Sequence, residues 1–227
     1  QFNSAVTDIF RNEYLSPRSP YTTLQIPKQG IGEWCHPLHT VDIDDSGLRS
    51  SVQKGVLNTK LGVPFRTPAE GQNIAFTSLW DNYPDSLTVS LKGKASRAYL
   101  LMAGSTNHMQ CHIDNGLIRV YYKDGTCDKM ALRNPDNWAP IEHIFFEDDL
   151  AFNRHAPALY RLRLKTGEIS NNFGEELGFP GASRELDGGA AILLEMPLNP
   201  DKKLSHLVLE TLSNDVVIGL MGITLQR

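Results

Sequence analysis

The chain is poor in cysteine, in long apolar runs and in excess positive charge, and each shortage excludes a class of protein. Three cysteines in 227 residues are too few for the dense disulfide framework of a small secreted scaffold. No apolar run approaches the roughly 20 residues that a membrane-spanning helix needs. The net charge is −4 and no basic cluster stands out, so we expect neither a nucleic-acid partner nor membrane insertion.

Catalytic and repeat motifs are also missing. The sequence contains no fixed-period repeat, no glycine-rich phosphate-binding loop and no nucleophile elbow. It begins at Gln1, with neither an initiator methionine nor a signal peptide, which predicts a mature or excised fragment. The sequence therefore does not by itself indicate a cellular compartment.

What the chain does contain is a series of short strand-like runs, separated by turns rich in glycine, proline, asparagine and aspartate. This regular spacing predicts an all-β fold, an antiparallel β-sandwich of the jelly-roll type. Among the strand candidates are residues 74–80, 86–91, 96–103, 159–165, 190–196, 204–211 and 216–226.

The first twenty residues differ from the rest. Residues 3–14 are typical of a short helix with one apolar face, and the Ser-Pro-Arg-Ser-Pro run at 16–20 is typical of a linker. A helix this short does not persist alone, so it needs a packing partner, which we interpret as an upstream domain. The predicted division is a helix and linker over 1–20 and a β-sandwich domain over 21–227.

Two dipeptides predict turns in a three-stranded meander. A two-residue turn at Asn115-Gly116 pairs Asp114 with Leu117 and places Arg119 on the polar face of its strand. Tyr121 shares that polar face, together with His108, Gln110 and His112.

The second turn, at Asp124-Gly125, has two possible lengths. A two-residue loop places Lys129 opposite Val120, whereas a three-residue loop places Met130 opposite Ile118. The three-residue loop is favoured, because it keeps an apolar residue on the core face.

Cys111 and Cys127 fall on the first and third strands of the same meander. Strands separated by a third strand lie about 9–10 Å apart, beyond the roughly 7 Å limit between the Cα atoms of a disulfide. We therefore expect two unbridged, mostly buried thiols.

Two loops carry aromatic residues suited to stacking on sugar rings. In the loop NPDNWAP, Trp138 offers a ring and Asn137 offers a hydroxyl-binding amide; in WDNYP, Trp80 and Tyr83 offer rings. Trp34 is a further candidate. The alternative for each is an aromatic side chain that plugs one end of the sandwich.

An acidic segment resembles the start of a calcium loop. Asp42, Asp44 and Ser46 occupy its first, third and fifth positions, and Gly47 occupies the sixth. The twelfth position is Gln53, where such loops carry a bidentate glutamate. Structural calcium is thus one interpretation, a solvated turn is the other, and no further cofactor is predicted.

Carboxylates for glycoside hydrolysis occur in two segments, and such chemistry needs two of them about 5–10 Å apart. The sequence does not place the two segments relative to each other. The candidates are Asp42, Asp44 and Asp45 in the first and Glu142, Asp148 and Asp149 in the second.

Histidine metal sites have little support. His108 and His112 on one strand would lie roughly 13 Å apart, too far for one ion. Cys35, His36 and His39 lack an evident partner pair.

Five segments of residues 19–227 carry a resemblance to a known family: SPYTTLQIPKQGIGEW, IDDSGLR, FTSLWDNYPDSLTVSLKGKASRAYLLMAGSTN, NPDNWAPIE and LDGGAAILLEMPLNPDKKLSHLVLETLSNDVVIGLMGITL. With these segments, residues 19–227 resemble the terminal β-sandwich region of large, uncharacterised secreted proteins from gut polysaccharide-degrading bacteria. The resemblance implies a galactose-binding-like jelly roll that accompanies a helical-barrel domain of glycoside-hydrolase type, in the periplasm or outside the cell.

Three functions follow as expectations. The first is a noncatalytic carbohydrate-associated module that binds glycan or buttresses an upstream domain of the same polypeptide. The second is a glycoside hydrolase with paired Asp and Glu residues. The third is a purely structural or protein-interaction domain, which would expose an apolar patch where its partner docks.

Overall fold

The computed structural model describes residues 1–9, 43–79, 83–106, 110–141, 154–173, 186–214 and 216–227. Two short helices occur within these residues, α1 (Val6–Ile9) and α2 (Ser46–Ser50). None of the helices in these ranges is long and apolar enough to cross a membrane. The strands are β1 (Val52–Gln53), β2 (Val56–Asn58), β3 (Pro64–Arg66), β4 (Ala75–Ser78), β5 (Ser86–Ser90), β6 (Arg97–Thr106), β7 (Asp114–Tyr122), β8 (Cys127–Arg133), β9 (Tyr160–Arg163), β10 (Ile169–Ser170), β11 (Ala190–Pro197), β12 (Leu204–Thr211) and β13 (Val216–Gln226).

The strands form three antiparallel sheets. The largest has the order β10-β9-β11-β6-β13-β4, the second has the order β5-β12-β7-β8, and a small sheet has the order β1-β2-β3. Alternate residues of β6 and β11 face the four-stranded sheet and build one core with Ile118 and Leu207. The prediction of an all-β antiparallel sandwich is confirmed.

A second core lies on the opposite face of the six-stranded sheet. There Leu101 of β6 and Leu193 of β11 pack with Phe65 of the small sheet and Leu48 of α2. The six-stranded sheet is thus a middle layer, buried on both faces. This explains why residues 100–103 and 190–194 are apolar without alternation, as is typical of doubly covered strands.

The N-terminal residues belong to this second core. Val6 is fully buried in it, and its backbone N–H donates to Asn73 Oδ1 at 2.9 Å. Ser4 forms an antiparallel bridge with Ile74. Val6, at the start of the described helix, therefore packs on this sandwich, and the upstream domain stays a prediction. The helix covers Val6–Ile9, while the remainder of 3–14 and the predicted linker lie outside the described residues.

The predicted turn at Asn115-Gly116 is wrong, because both residues lie inside β7. Asp114 pairs with Arg133 of β8, Gly116 pairs with Leu132, and Asn115 is bulged between them. The buried Asn115 amide accepts from Thr106 Oγ1 at 2.7 Å and donates to two backbone carbonyls.

Gly116 is needed for close packing rather than for a turn. A Cβ there would overlap Ile218 Cδ1 and lie 2.9 Å from the carbonyl oxygen of Glu210. The Asn-Gly pair thus serves contacts with other strands.

The second turn is confirmed in its three-residue form. Ile118 pairs with Met130, and the N–H of Tyr122 donates to the carbonyl of Thr126 at 2.9 Å. Gly125 has a φ of +86°, which is the left-handed residue that a three-residue hairpin loop requires.

Cys111 and Cys127 are not disulfide-bonded, as expected. The geometric reason was wrong, since Cys111 precedes β7 and forms an isolated bridge with Asn134. Both thiols are half-buried rather than mostly buried.

Tyr122 makes the stability of this sheet sensitive to high pH. Its hydroxyl donates to Asp128 and accepts the N–H of Asn199 at 2.7 Å. Burial, with the bond to Asp128, raises the pKa of Tyr122 to about 12. In the unfolded chain this hydroxyl deprotonates near its ordinary pKa of 10.0. The contribution of Tyr122 to the free energy of unfolding is therefore complete below pH 10 and is lost between about pH 10 and 12.

We expect urea unfolding of wild type to show this alkaline loss and Tyr122→Phe to lack this component. Parallel stability curves for the two proteins across that pH range would contradict the assignment.

Candidate functional site

Trp138 does not form a sugar-stacking platform. Its side chain is 0% exposed and lies in the core between the two larger sheets. The ring packs so closely on Gly104 of β6 that a Cβ at that position would overlap it. The stacking prediction for Trp138 is therefore wrong, and the alternative of a core-filling aromatic is right.

Asn137 is committed to the backbone of its own loop. Its Oδ1 accepts the N–H of Arg133 at 2.7 Å, and its Nδ2 donates to the carbonyl of Ala131 at 2.8 Å. These two bonds stabilise the turn after β8. The half-buried amide keeps a second N–H and a second oxygen lone pair, so its binding of sugar hydroxyls stays a prediction.

The other aromatic candidates divide in two. Tyr83 is half-buried and packs edge-on against Phe76, with ring centroids 4.8 Å apart, at the margin of the second core. Trp80 and Trp34 lie outside the described residues, so their roles stay predictions.

The acidic segment forms the start of α2. Asp44 Oδ1 accepts the N–H of Ser46 at 2.9 Å. The hydrogen bond from the Ser46 side chain, with this backbone bond, lowers the pKa of Asp44. Asp45 is buried and accepts from Arg49 Nε at 2.9 Å. Asp42, the first predicted calcium ligand, lies outside the described residues, so the calcium site stays a prediction.

The carboxylate pairing for glycoside hydrolysis also stays a prediction. Asp45 accepts from Asn73 Nδ2 at 2.8 Å as well as from Arg49, so its charge is compensated within the fold. The second group, Glu142, Asp148 and Asp149, lies outside the described residues.

The outer face of the four-stranded sheet gathers aromatic and charged side chains on neighbouring strands. Tyr121 of β7 lies beside His206 of β12, and their rings stack with centroids 4.7 Å apart and planes 13° from parallel. The next outward residue of β7, Arg119, pairs with Val208 and forms a diagonal ion pair with Glu210. We call these four residues the outer face.

The strands that flank this face are polar on the same side. Ser90 of β5 pairs with His206, and Thr88 pairs with Val208. Lys129 of β8 pairs with Arg119. Strand alternation directs all of these residues away from the core, because Ile118, Val120, Leu207 and Leu209 point into it.

Arg119 and Glu210 pair with each other and stay accessible to solvent. The hydrogen bond to Glu210 raises the pKa of Arg119. The two side chains are 25% and 34% exposed, so the pair retains contact with solvent. Such a pair offers donors and acceptors side by side, next to the edge of an aromatic stack.

The sequence analysis identified two of the four residues of the outer face. Arg119 and Tyr121 share the polar face of β7, as predicted. His206 and Glu210 were missed, because nothing local indicates that residues 204–211 pair with β7 across more than 80 residues of chain. The available signal was the alternating pattern of residues 204–211, which places polar residues 206 and 210 on one face of the strand.

His112 is not on a strand, contrary to the prediction. It lies in the turn before β7 with a φ of +55°, and its ring lies beside that of His155, with centroids 4.8 Å apart. His108 lies outside the described residues. No family model, curated protein or solved structure matches this chain.

Proposed function

We propose that this domain is a noncatalytic β-sandwich module of a polysaccharide-degrading protein, and that its outer face binds glycan. The observation that carries the proposal is the stacked Tyr121–His206 pair beside the Arg119–Glu210 ion pair. The resemblance of residues 19–227 to secreted proteins of gut bacteria supports the carbohydrate context and a periplasmic or extracellular location.

The chemistry of the outer face suits a sugar. An aromatic ring packs on the apolar C–H face of a pyranose, while its hydroxyl supplies a polar edge. Arginine and carboxylate side chains make charge-assisted hydrogen bonds, which suit the vicinal hydroxyls of a sugar ring. Ser90 and Thr88 extend the polar surface along the sheet.

The outer face is also pre-organised. Its side chains project from paired strands, which hold a site more precisely than loops do. The Tyr121 ring is ordered by its stack on His206, and Arg119 by its bond to Glu210, so little side-chain entropy remains to be lost on binding.

Affinity electrophoresis in gels containing xylan, galactan, mannan or glucan tests the proposal. We expect one of these polysaccharides to retard wild type, and Tyr121→Ala to bind it roughly five-fold more weakly, since stacking is worth about 1 kcal/mol. Tyr160→Ala is the matched control, because Tyr160 is an exposed tyrosine on the six-stranded sheet.

A wild type that migrates alike in all four gels would overturn glycan binding and favour the buttressing role. Equal retardation of Tyr121→Ala and wild type would place the binding surface elsewhere. Thermal melting of both variants shows whether a loss of retardation reflects binding or unfolding.

A further inference from the structure

Three metal-ligating side chains from separate segments meet beyond the first residue of β7. His112 comes from the turn before that strand, Asp136 from the loop after β8, and His155 from the segment before β9. Their ligand atoms all lie within 4.8 Å of one another. His112 and Asp136 are half-buried, whereas His155 is 64% exposed.

Backbone hydrogen bonds tie the three segments together. The N–H of His112 donates to the carbonyl of Asn134 at 2.8 Å, two residues before Asp136. The N–H of His155 donates to Asp136 Oδ1 at 2.7 Å, and His155 Nδ1 lies 3.8 Å from the same oxygen. The juxtaposition is therefore built by the fold and does not depend on side-chain rotamers alone.

His112 adopts a strained backbone conformation at this point. Its φ of +55° lies in the left-handed region, which among the described non-glycine residues only Lys54 shares. Strained residues cluster at ligand clamps and active sites, where the surrounding structure holds them in place. Here the strained residue carries one of the three ligating groups.

We propose that His112, Asp136 and His155 bind a divalent transition-metal ion, for which Zn²⁺ is the probe. Two imidazole nitrogens and one carboxylate oxygen are a donor set that zinc accepts, with the fourth position left for water. Calcium and magnesium prefer six or more oxygen ligands, and this cluster supplies one carboxylate.

The geometry needs only a small adjustment. With bonds of 2.0–2.2 Å, neighbouring donors of a tetrahedral zinc ion lie about 3.3 Å apart. The present separations reach 4.8 Å, and the exposed His155 side chain is able to turn inward. The positive charge of Arg133, the last residue of β8 before the loop of Asp136, is compensated by its ion pair with Asp114.

This site does not depend on the glycan proposal. It lies by Asp114, at the opposite end of β7 from Tyr121, and its ligands are not residues of the outer face. Either proposal can fail while the other stands.

Isothermal titration of the chelator-treated, intact chain with Zn²⁺ tests the site. We expect wild type to bind Zn²⁺. His155→Ala and Asp136→Asn should each lose one binding site, or bind Zn²⁺ at that site at least about ten-fold more weakly. The zinc-induced rise in Tm should fall with it. Asp187→Asn is the matched control, since Asp187 is an exposed carboxylate paired with Lys165.

His112→Gly provides a second variant that is expected to fold, because glycine accepts the positive φ without strain. It should retain the Tm of the metal-free protein and lose the zinc-induced rise. Wild type that binds no Zn²⁺, or variants that bind it with unchanged affinity and stoichiometry, would overturn the proposal.

Cobalt distinguishes this site from one that contains cysteine. Bound to nitrogen and oxygen ligands, Co²⁺ should show no thiolate charge-transfer absorption. A thiolate band that persists in His155→Ala would assign the metal to a site that includes a cysteine, which would also overturn the proposal.

Discussion

Trp138→Ala is expected to lower the free energy of unfolding by about 3–5 kcal/mol, the range for buried tryptophan and phenylalanine side chains. Trp138 is fully buried and is the largest fully buried side chain among the described residues. Its removal leaves a cavity between the two larger sheets that the rigid strands around it cannot fill. Urea denaturation followed by far-UV circular dichroism measures the loss.

Trp138→Phe is the control for that experiment. Trp138 Nε1 is buried and has no hydrogen-bond acceptor among the described residues, so phenylalanine loses no hydrogen bond. We expect a loss of only about 1–2 kcal/mol, from the smaller ring. If the alanine variant were as stable as wild type, the ring would not be part of the core.

Gly104→Ala is expected to destabilise the domain by about 3 kcal/mol, at the upper end for overpacked cores. The new methyl group would overlap Cζ2 and Cη2 of Trp138, and a flat indole ring has no flexible end that can move aside. The measurement is again the urea midpoint, with an unchanged m-value indicating an intact folded state.

Two controls separate this clash from other effects of a lost glycine. Gly125→Ala has no atom within 4 Å and tests backbone strain alone, for which we expect about 1 kcal/mol. The double variant Gly104→Ala/Trp138→Leu should cost less than the sum of the single changes. Strict additivity of the two changes would contradict direct contact between them.

Local sequence signals predicted the fold correctly where the interactions they report are local. The predicted length of the loop at residues 123–125 was correct, because the loop geometry depends on Gly125 and on two adjacent strands. The same reasoning failed at Asn115-Gly116, whose partners are Thr106, Ile218 and Glu210 on three other strands. A dipeptide does not reveal contacts with strands that are remote in sequence.

The third layer was not predicted for a similar reason. Strands β1 to β3 have two or three residues each, too few to show an alternating pattern. The apolar runs of β6 and β11 are explained by burial on both faces, but such runs do not reveal what covers the second face. That role falls to Leu48, Phe65 and the N-terminal Val6, which the fold brings together.

The candidate sites show the same division. The residues around Trp138 in the sequence do not indicate whether its side chain is buried or exposed. The ring packs on Gly104, which is remote in the sequence, and this contact is not visible in the local pattern. His112, Asp136 and His155 have no motif spacing, since three separate loops bring them together. Sequence reasoning singled out His112 but neither Asp136 nor His155, because only tertiary contacts bring the three together.

The position of β13 in the middle sheet has a consequence for how the domain folds. This strand lies between β6 and β4. At its last residue, the carbonyl of Gln226 accepts a hydrogen bond from the hydroxyl of Ser96, 130 residues earlier in the chain. Closing such long loops costs entropy before any contact compensates for it, so folding in milliseconds to seconds is the expected regime. Until β13 docks, β4 and β6 each present an unpaired edge to other chains. The newly synthesised domain is therefore most exposed to intermolecular strand pairing in the interval before its C-terminal strand is in place.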